Sequence, residues 1–195
     1  MSTILEPRPS GGQRVLTAAD LAAMPADLPS GGVKYELDDG RLVIMAPPGN
    51  DHGRLQSRVV YALITYGEKL GLGECTGEVG IILRRNPARV VGPDVAFITN
   101  RSLPVRTSPE GYLETIPELV VEVLSKNDTV PEILDKVGEY LTAGVQIVWV
   151  IDPRSQIVTV FRLEQNACEL RIGDVLTAEG VIPGFQAPVA ELFER

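Results

Sequence analysis

Residues 92–98, GPDVAFI, and residues 117–125, PELVVEVLS, each place one carboxylate inside a run that is otherwise apolar. Side chains of a strand alternate between two faces, so both runs are typical of strands that are buried on both sides. Asp94 and Glu122 then lie in the interior of the predicted sheet. A buried carboxylate without a partner is costly, and each therefore needs a cation, a hydrogen-bond network or a raised pKa.

Two acidic groups on adjacent strands are the arrangement that binds a hard divalent cation. Mg²⁺ takes one or two carboxylates and keeps water and substrate oxygens as its other ligands. Asp94 and Glu122 therefore predict a Mg²⁺ site, with Mn²⁺ as a possible substitute. The alternative is that Asp94 is a turn residue at a strand start and that Glu122 pairs with an arginine.

A helix is predicted over residues 131–143, after the second acidic strand. Lys136 and Tyr140 are four residues apart and lie along the flank of its apolar face. From there the amine could reach the end of the strand and stabilise the charge that develops during attack on a phosphate. The alternative is that Lys136 pairs in solvent with Glu132 or Glu139.

The rest of the chain alternates between predicted strands and helices. In chain order these elements are a short helix capped by Thr17, a hairpin over 33–46, a long helix from Asn50 or Asp51 to Gly71, strands over 79–84, 90–98, 119–124, 145–151 and 157–161, and short β segments with a final turn over 189–193. We expect residues 1–14 to form a flexible arm and residues 15–195 to form one α/β domain.

The charge of the chain is unevenly distributed. Its 18 Lys and Arg against 26 Asp and Glu give a formal net charge of −8, which argues against binding nucleic acid through overall charge. Residues 79–107, however, carry five arginines against Asp94 alone. Arg84, Arg85 and Arg89 cluster at a predicted hairpin tip, where they could hold a phosphate backbone. The alternative is that they only keep an edge strand soluble.

The sequence also indicates where the protein works. It lacks both the apolar run of about 18 residues that a membrane-spanning helix needs and the features of a signal peptide. We therefore expect a cytoplasmic protein with no membrane partner. Cys75 and Cys168 are too few and too far apart for a zinc cage or a disulfide framework, and we expect both to be reduced.

The two acidic runs and the K-x3-Y-x3-G-V-x3-W pattern from Lys136 to Trp149 resemble the PD-(D/E)XK nuclease superfamily. Within it, the chain resembles the bacterial Uma family of restriction endonucleases, which is abundant in cyanobacteria. The resemblance runs from Tyr35 to Phe161 and includes YELDDGRLVIMAPP at residues 35–48. It implies a restriction-endonuclease-like core, in which a central mixed sheet is flanked by helices, with an N-terminal β-hairpin and a C-terminal β extension.

The resemblance also implies roles for particular residues. Asp94 and Glu122 would be the metal-binding acids, the carbonyl of Val123 a third ligand, and Glu36 an accessory catalytic acid. For Glu36 the sequence leaves an alternative, because it lies on a polar strand face and could be a solvated hairpin residue. His52, the single histidine, begins the long helix and could be a cap residue, a DNA phosphate contact or a general base.

The position of the catalytic lysine departs from the superfamily pattern. The lysine normally stands two residues after the glutamate, where this chain has Leu124. The resemblance suggests that Lys136 of the helix takes its place, with Tyr140 beside it. Lys126 is a rival in the loop beyond the strand.

These observations predict a Mg²⁺-dependent endonuclease that hydrolyses DNA, in which a water attacks the phosphorus in line. By resemblance, the products carry a 5′-phosphate and a 3′-hydroxyl. We also expect a homodimer, with residues 158–161 as a sheet-edge contact. The alternatives are a non-catalytic nucleic-acid-binding or protein-interaction module on the same fold and a hydrolase of small phosphoesters, which the low pI favours.

Overall fold

The structure is a computed structural model that describes residues 14–25, 27–28, 31–45, 47–126 and 128–194. The predicted flexible arm lies outside the described residues except for Arg14. The helices are α1 (Ala18–Ala22), α2 (Asn50–Tyr66), α3 (Val130–Ala143) and α4 (Val189–Phe193). The strands are β1 (Asp27–Leu28), β2 (Gly31–Gly32), β3 (Lys34–Asp38), β4 (Arg41–Met45), β5 (Gly73–Gly77), β6 (Ile81–Arg85), β7 (Ala88–Val91), β8 (Val95–Thr99), β9 (Leu119–Val123), β10 (Ile147–Asp152), β11 (Ile157–Phe161), β12 (Cys168–Leu170), β13 (Val175–Thr177) and β14 (Gln186–Pro188).

In the part of the chain that the structure describes, the central sheet has six strands in the order β12-β11-β10-β9-β8-β5. It is mixed, because β9 and β10 are parallel while the other neighbours are antiparallel. A second sheet has the order β4-β3-β7-β6, and β1–β2 and β13–β14 form two short ribbons. The predicted hairpin over 33–46 corresponds to β3 and β4, and the C-terminal β extension to β13 and β14.

Helices cover both faces of the central sheet. On one face, Leu55 and Leu63 of α2 share an apolar core with Val121 of β9. On the other face, Val137 of α3 shares a core with Val120 of β9. Neighbouring residues of β9 therefore face opposite cores, as the continuous apolar run predicts.

The ends of α3 follow from local chemistry. Thr129 and Glu132 form a capping box at its first turn, and Pro131 occupies a position that needs no N–H donor. Gly144 ends the helix with φ 112°, a left-handed conformation that favours glycine. The predicted helix over 131–143 is confirmed within one residue.

Two predicted elements differ from the structure. The single strand over 90–98 is wrong, because Gly92 and Pro93 interrupt it and send β7 and β8 to different sheets. Asp94 therefore lies where the chain crosses between the sheets. The long helix stops at Tyr66, and a short 3₁₀ turn precedes Gly71, which has φ 70°.

The predicted dimer contact through residues 158–161 is also wrong. Strand β11 pairs with β10 on one side and with β12 on the other, so its backbone groups are already bonded along both edges. Among the described residues, β12 and β5 are the outer strands of the central sheet. No helix among the described residues is long and apolar enough to cross a membrane.

Candidate metal centre and active-site cleft

A cleft of about 1480 Å³ opens where the β3–β4 hairpin, the start of α2, the end of β9 and helix α3 meet. Residues of all four elements line it, and so does the crossing segment that carries Asp94. Both carboxylates that the apolar runs singled out, Asp94 and Glu122, reach this cleft.

The register of two antiparallel strands brings these carboxylates together. Val95 of β8 pairs with Val121 of β9 as the last pair of this ladder, and Asp94 and Glu122 are the next residues beyond that pair. Side chains at opposite positions of an antiparallel pair point to the same face. The Oδ2 atom of Asp94 also accepts a 2.8 Å hydrogen bond from the backbone N–H of Val123, which fixes the carboxylate at the end of β9.

Asp94 is buried among basic groups. Nε2 of His52 lies 3.1 Å from its Oδ2 atom, and Nζ of Lys34 lies 3.6 Å from its Oδ1 atom. Burial raises the pKa of Asp94, but the hydrogen bond and charge of His52, with the Val123 N–H and Lys34, outweigh burial and lower it. The carboxylate is thus ionised and able to bind a cation at neutral pH.

His52 occupies the first turn of α2 and is buried. Burial lowers its pKa, but the hydrogen bond to Asp94 and the charge of Asp94 together raise it above the ordinary value. Its Nδ1 atom has no hydrogen-bond partner among the described residues. The structure thus places His52 beside Asp94, while its predicted contact with DNA stays a prediction.

Glu122 has two donors on one oxygen. Its Oε1 atom accepts a 2.6 Å hydrogen bond from the hydroxyl of Tyr140 and lies 3.0 Å from Nζ of Lys136. Burial raises the pKa of Glu122 to about 7, with Asp94 and Glu36 adding to the rise and Lys136 and Tyr140 opposing it. Glu122 therefore titrates near neutral pH in the metal-free protein.

Lys136 lies between two carboxylates in the interior. Its Nζ atom is 2.9 Å from Oε1 of Glu36 and 3.0 Å from Oε1 of Glu122. Burial lowers the pKa of Lys136, but the charges of the two carboxylates outweigh burial and raise it, so the side chain stays a cation. The alternative in which Lys136 pairs with Glu132 or Glu139 is therefore wrong. Lys126, the rival lysine, is exposed in the turn after β9.

Glu36 is buried at 4% exposure, so the alternative of a solvated hairpin residue is wrong. Its Oε1 atom accepts a 2.9 Å hydrogen bond from the N–H of Gly92 and contacts Lys136, while Nη1 of Arg89 lies 3.6 Å from its Oε2 atom. Burial raises the pKa of Glu36, but Lys136, the Gly92 N–H and Arg89 outweigh burial and lower it. The alternation of residues along the strand did not predict the burial of Glu36, because the face of the hairpin that carries Glu36 is covered by other parts of the protein.

Arg89 lies near the predicted hairpin tip, where it pairs with Arg84, but its side chain is buried instead of exposed. Its side chain is 9% exposed and points into the protein. Nε and Nη2 lie 2.7 Å and 2.6 Å from Oε2 of Glu139, and Nη1 donates a 2.9 Å hydrogen bond to the carbonyl of Leu37. Arg89 lines the cleft, but its donors are already bonded to Glu139 and to the Leu37 carbonyl. Its predicted contact with DNA stays a prediction.

Arg84 and Arg85 are exposed, as predicted, but each has an acidic partner. Arg84 contacts Asp39 at the hairpin turn, and Arg85 contacts Glu114. Arg84 also lines the cleft. Their proposed contacts with DNA stay a prediction, because a phosphate would have to compete with these carboxylates.

The donors at the end of β9 suit a hard divalent cation. Asp94 and Glu122 supply two carboxylates, and Val123, which lines the same cleft, offers a backbone carbonyl. No group of three or more His, Cys, Asp or Glu side chains is arranged around a metal position in the described part of the chain. This set is too small for a closed zinc site but fits Mg²⁺, which retains water and substrate oxygens.

The model of the Uma2 family, described as "Putative restriction endonuclease", matches residues 19–190 of the chain. The chain belongs to this family. Membership confirms the resemblance to the Uma family and places the Uma2 chain among nucleases of the restriction endonuclease type. A search of curated proteins finds no match to it.

One solved structure supports the fold of the Uma2 chain. The crystal structure of a putative nuclease belonging to DUF820 from Anabaena variabilis ATCC 29413 is 17% identical, with a TM-score of 0.74 over 91% of this chain and 97% of that one. This similarity confirms the predicted α/β core with a mixed sheet flanked by helices. A cryo-EM structure of a DrdV–DNA complex is also 17% identical, over 74% of this chain and 93% of that one, with a TM-score of 0.33.

Proposed function

We propose that this Uma2 protein is a Mg²⁺-dependent endonuclease that hydrolyses DNA phosphodiester bonds. The observation that carries the proposal is the site at the end of β9, where Asp94 accepts a hydrogen bond from the Val123 N–H and Nζ of Lys136 lies 3.0 Å from Glu122. In this proposal the chain is a PD-(D/E)XK nuclease whose lysine comes from α3 instead of from the strand.

The residues divide the chemical work between them. Asp94, Glu122 and the carbonyl of Val123 would hold the divalent ion. When bound, such an ion lowers the pKa of a water and neutralises charge on the phosphate. Lys136 keeps its proton, because two carboxylates raise its pKa. We therefore assign it the stabilisation of negative charge on the phosphate rather than the removal of a proton from water.

The charge of the cleft supports a metal requirement for the binding of DNA in this proposal. Among the described residues, nine carboxylates and six lysines or arginines line the cleft. An acidic cleft repels phosphate, and a bound divalent ion offsets that repulsion. We therefore expect both the affinity for DNA and the cleavage of DNA to depend on the divalent ion.

Metal binding can be tested without knowing the recognition sequence. Mn²⁺ is titrated by calorimetry into the wild type and into Asp94→Asn and Glu122→Gln, with Glu74→Gln on the exposed face of β5 as the matched control. We expect one site per chain in the wild type and the control and none in the two cleft variants. Equal binding in all four proteins would overturn the metal site, provided that circular dichroism shows each to be folded.

Cleavage is tested with closed circular plasmid DNA, because a circle has no end from which an exonuclease could start. We expect nicked or linear DNA in Mg²⁺ and intact circles in EDTA. A DNA polymerase should extend the products from their 3′ ends without prior phosphatase treatment, because the proposal predicts a 3′-hydroxyl at each cut. Intact circles in both conditions, across plasmids of different sequence, would contradict the proposal.

A second candidate is a non-catalytic module on the same fold. It is favoured by Leu124, which occupies the usual lysine position, and by the two carboxylates that already pair with Lys136. Such a module would keep its binding partners when Lys136 is replaced.

Homodimerisation stays a proposal for both candidates, because the predicted sheet-edge contact is already paired with β12.

A further inference from the structure

Five charged side chains alternate in sign from the metal-binding acid to the outer face of α3. They run in the order Glu122, Lys136, Glu36, Arg89 and Glu139. The distances between successive charged atoms are 3.0, 2.9, 3.6 and 2.6 Å. We call these five side chains the charge row.

Arg89 makes contacts in the charge row that suit a guanidinium group better than an ammonium group. Its guanidinium uses Nε and Nη2 for Glu139 and Nη1 for both the Leu37 carbonyl and Glu36. A planar fork with five N–H donors can serve three acceptors at fixed angles, whereas a lysine ammonium is a single point charge. Arg89 thereby ties strand β3 to helix α3.

The buried carboxylates of the site need the positive charge of Arg89. Without Arg89, the buried carboxylates Glu36 and Glu122 would share the single cation of Lys136. Uncompensated charge in a low-dielectric interior is expensive, so Glu36 would either bind a proton or move toward solvent. In both cases Lys136 would lose the second carboxylate that fixes its Nζ atom beside Glu122.

We propose that Arg89 is a positioning residue, which acts through Glu36 to hold Nζ of Lys136 beside the metal-binding carboxylate Glu122. The inference rests on the proposed function for the catalytic role of Lys136. It gives Glu36 the role of an anchor for the lysine, and it gives Arg89 a role that involves no contact with DNA. Because Arg89 is buried, its loss affects the chemical step and leaves phosphate contacts unchanged.

The test uses two variants and one control. Arg89→Lys keeps the charge but removes the fork. Glu139→Gln acts at a residue that is 33% exposed, so it perturbs the far end of the charge row with little risk of unfolding. Arg41→Lys is the matched control, because Arg41 pairs with Asp38 on the same hairpin but lies outside the cleft. Thermal unfolding shows which variants are folded at the assay temperature.

The first readout separates positioning from DNA contact. On plasmid DNA in Mg²⁺ we expect kcat to fall by about 10²-fold in Arg89→Lys, the size of effect that a misplacement of about 1 Å produces, with KM within about twofold of the wild type. A smaller fall is expected in Glu139→Gln and no change in Arg41→Lys. A raised KM with unchanged kcat, and a salt slope reduced by about 1, would show instead that Arg89 contacts a phosphate.

The second readout does not depend on activity. The ammonium of a buried, hydrogen-bonded lysine exchanges its protons slowly enough to give a ¹H–¹⁵N signal, which Lys136→Met identifies by its absence. We expect this signal in the wild type and in Arg41→Lys, and we expect it to broaden or disappear in Arg89→Lys. An unchanged signal in a folded Arg89→Lys protein would overturn the positioning role. A wild type that shows the signal but cleaves no DNA would overturn the proposed function and leave the charge row in place.

Discussion

The Nζ atom of Lys136 lies 3.0 Å from the Oε1 atom of Glu122, although one residue belongs to helix α3 and the other to strand β9. Helix α3 thus places a cation beside Glu122. The residue two places after Glu122 cannot supply that cation, because it is Leu124. The contact is buried, so water screens it little and the two groups interact strongly.

The first prediction concerns the lysine itself. We expect Lys136→Ala to lower kcat for plasmid cleavage by about 10²–10³-fold, because it removes a charge that stabilises the transition state. Mn²⁺ binding at pH 8 should persist, since Asp94 and Glu122 remain. Lys126→Ala tests the rival lysine, and we expect it to cleave like the wild type. Full activity in Lys136→Ala together with loss in Lys126→Ala would reverse the assignment.

The second prediction asks whether the two lysine positions are equivalent. Residues 122 and 124 lie on the same face of an extended chain, and Leu124 lines the cleft. We expect Leu124→Lys to restore part of the cleavage that Lys136→Met loses. Leu124→Arg in the same background is the control for charge alone, since its longer, planar group is not equivalent to an ammonium. No recovery in a folded double variant would show that the helix position is required.

Much of this site could be predicted from the sequence. Asp94 and Glu122 stand out because each interrupts an apolar strand, and a charge there needs a reason. The flank position of Lys136 on a helix with clear apolar periodicity was enough to place it near the strand end. These signals are local, because they lie in the spacing of apolar residues along each strand or helix.

The rest of the site depends on contacts that no local pattern contains. Arg89 looked like one of three exposed arginines, and its burial follows from Glu139, which lies fifty positions away in the chain and on another element. Strand β5 was missed because its sequence, GECTG, has glycine at both ends and little apolar content. Its backbone pairs with β8 through all five residues, and tertiary pairing outweighs weak strand propensity.

The third prediction is the pH dependence of metal binding. Burial raises the pKa of Glu122 to about 7, so below that pH the metal-free protein carries a proton that the metal must displace. Affinity for Mn²⁺ should therefore fall as the pH falls, by about tenfold between pH 8 and pH 6 for one displaced proton. Calorimetry in two buffers with different ionisation enthalpies measures that proton directly. Affinity that does not change over this range, with no proton release, would show that Glu122 is already ionised or is not a ligand.

The fourth prediction tests the packing that holds the acidic strands in place. A Cβ atom added to Gly73 of β5 would lie 2.2 Å from the carbonyl oxygen of Ile98 and 2.7 Å from the ring of Phe97. The oxygen is backbone and the ring is fully buried, so neither can move freely. We expect Gly73→Ala to lower the free energy of unfolding by about 1–3 kcal/mol or more, as overpacking does.

Gly138 of α3 is the matched control, because a Cβ atom added there meets nothing within 4 Å. Alanine is a better helix former than glycine, so Gly138→Ala should raise the free energy of unfolding by about 0.5–1 kcal/mol. Urea denaturation with an unchanged m value measures both differences. If the two variants shifted stability equally, the close approach of β5 to β8 would be wrong, and with it the support that β5 gives to the strand following Asp94.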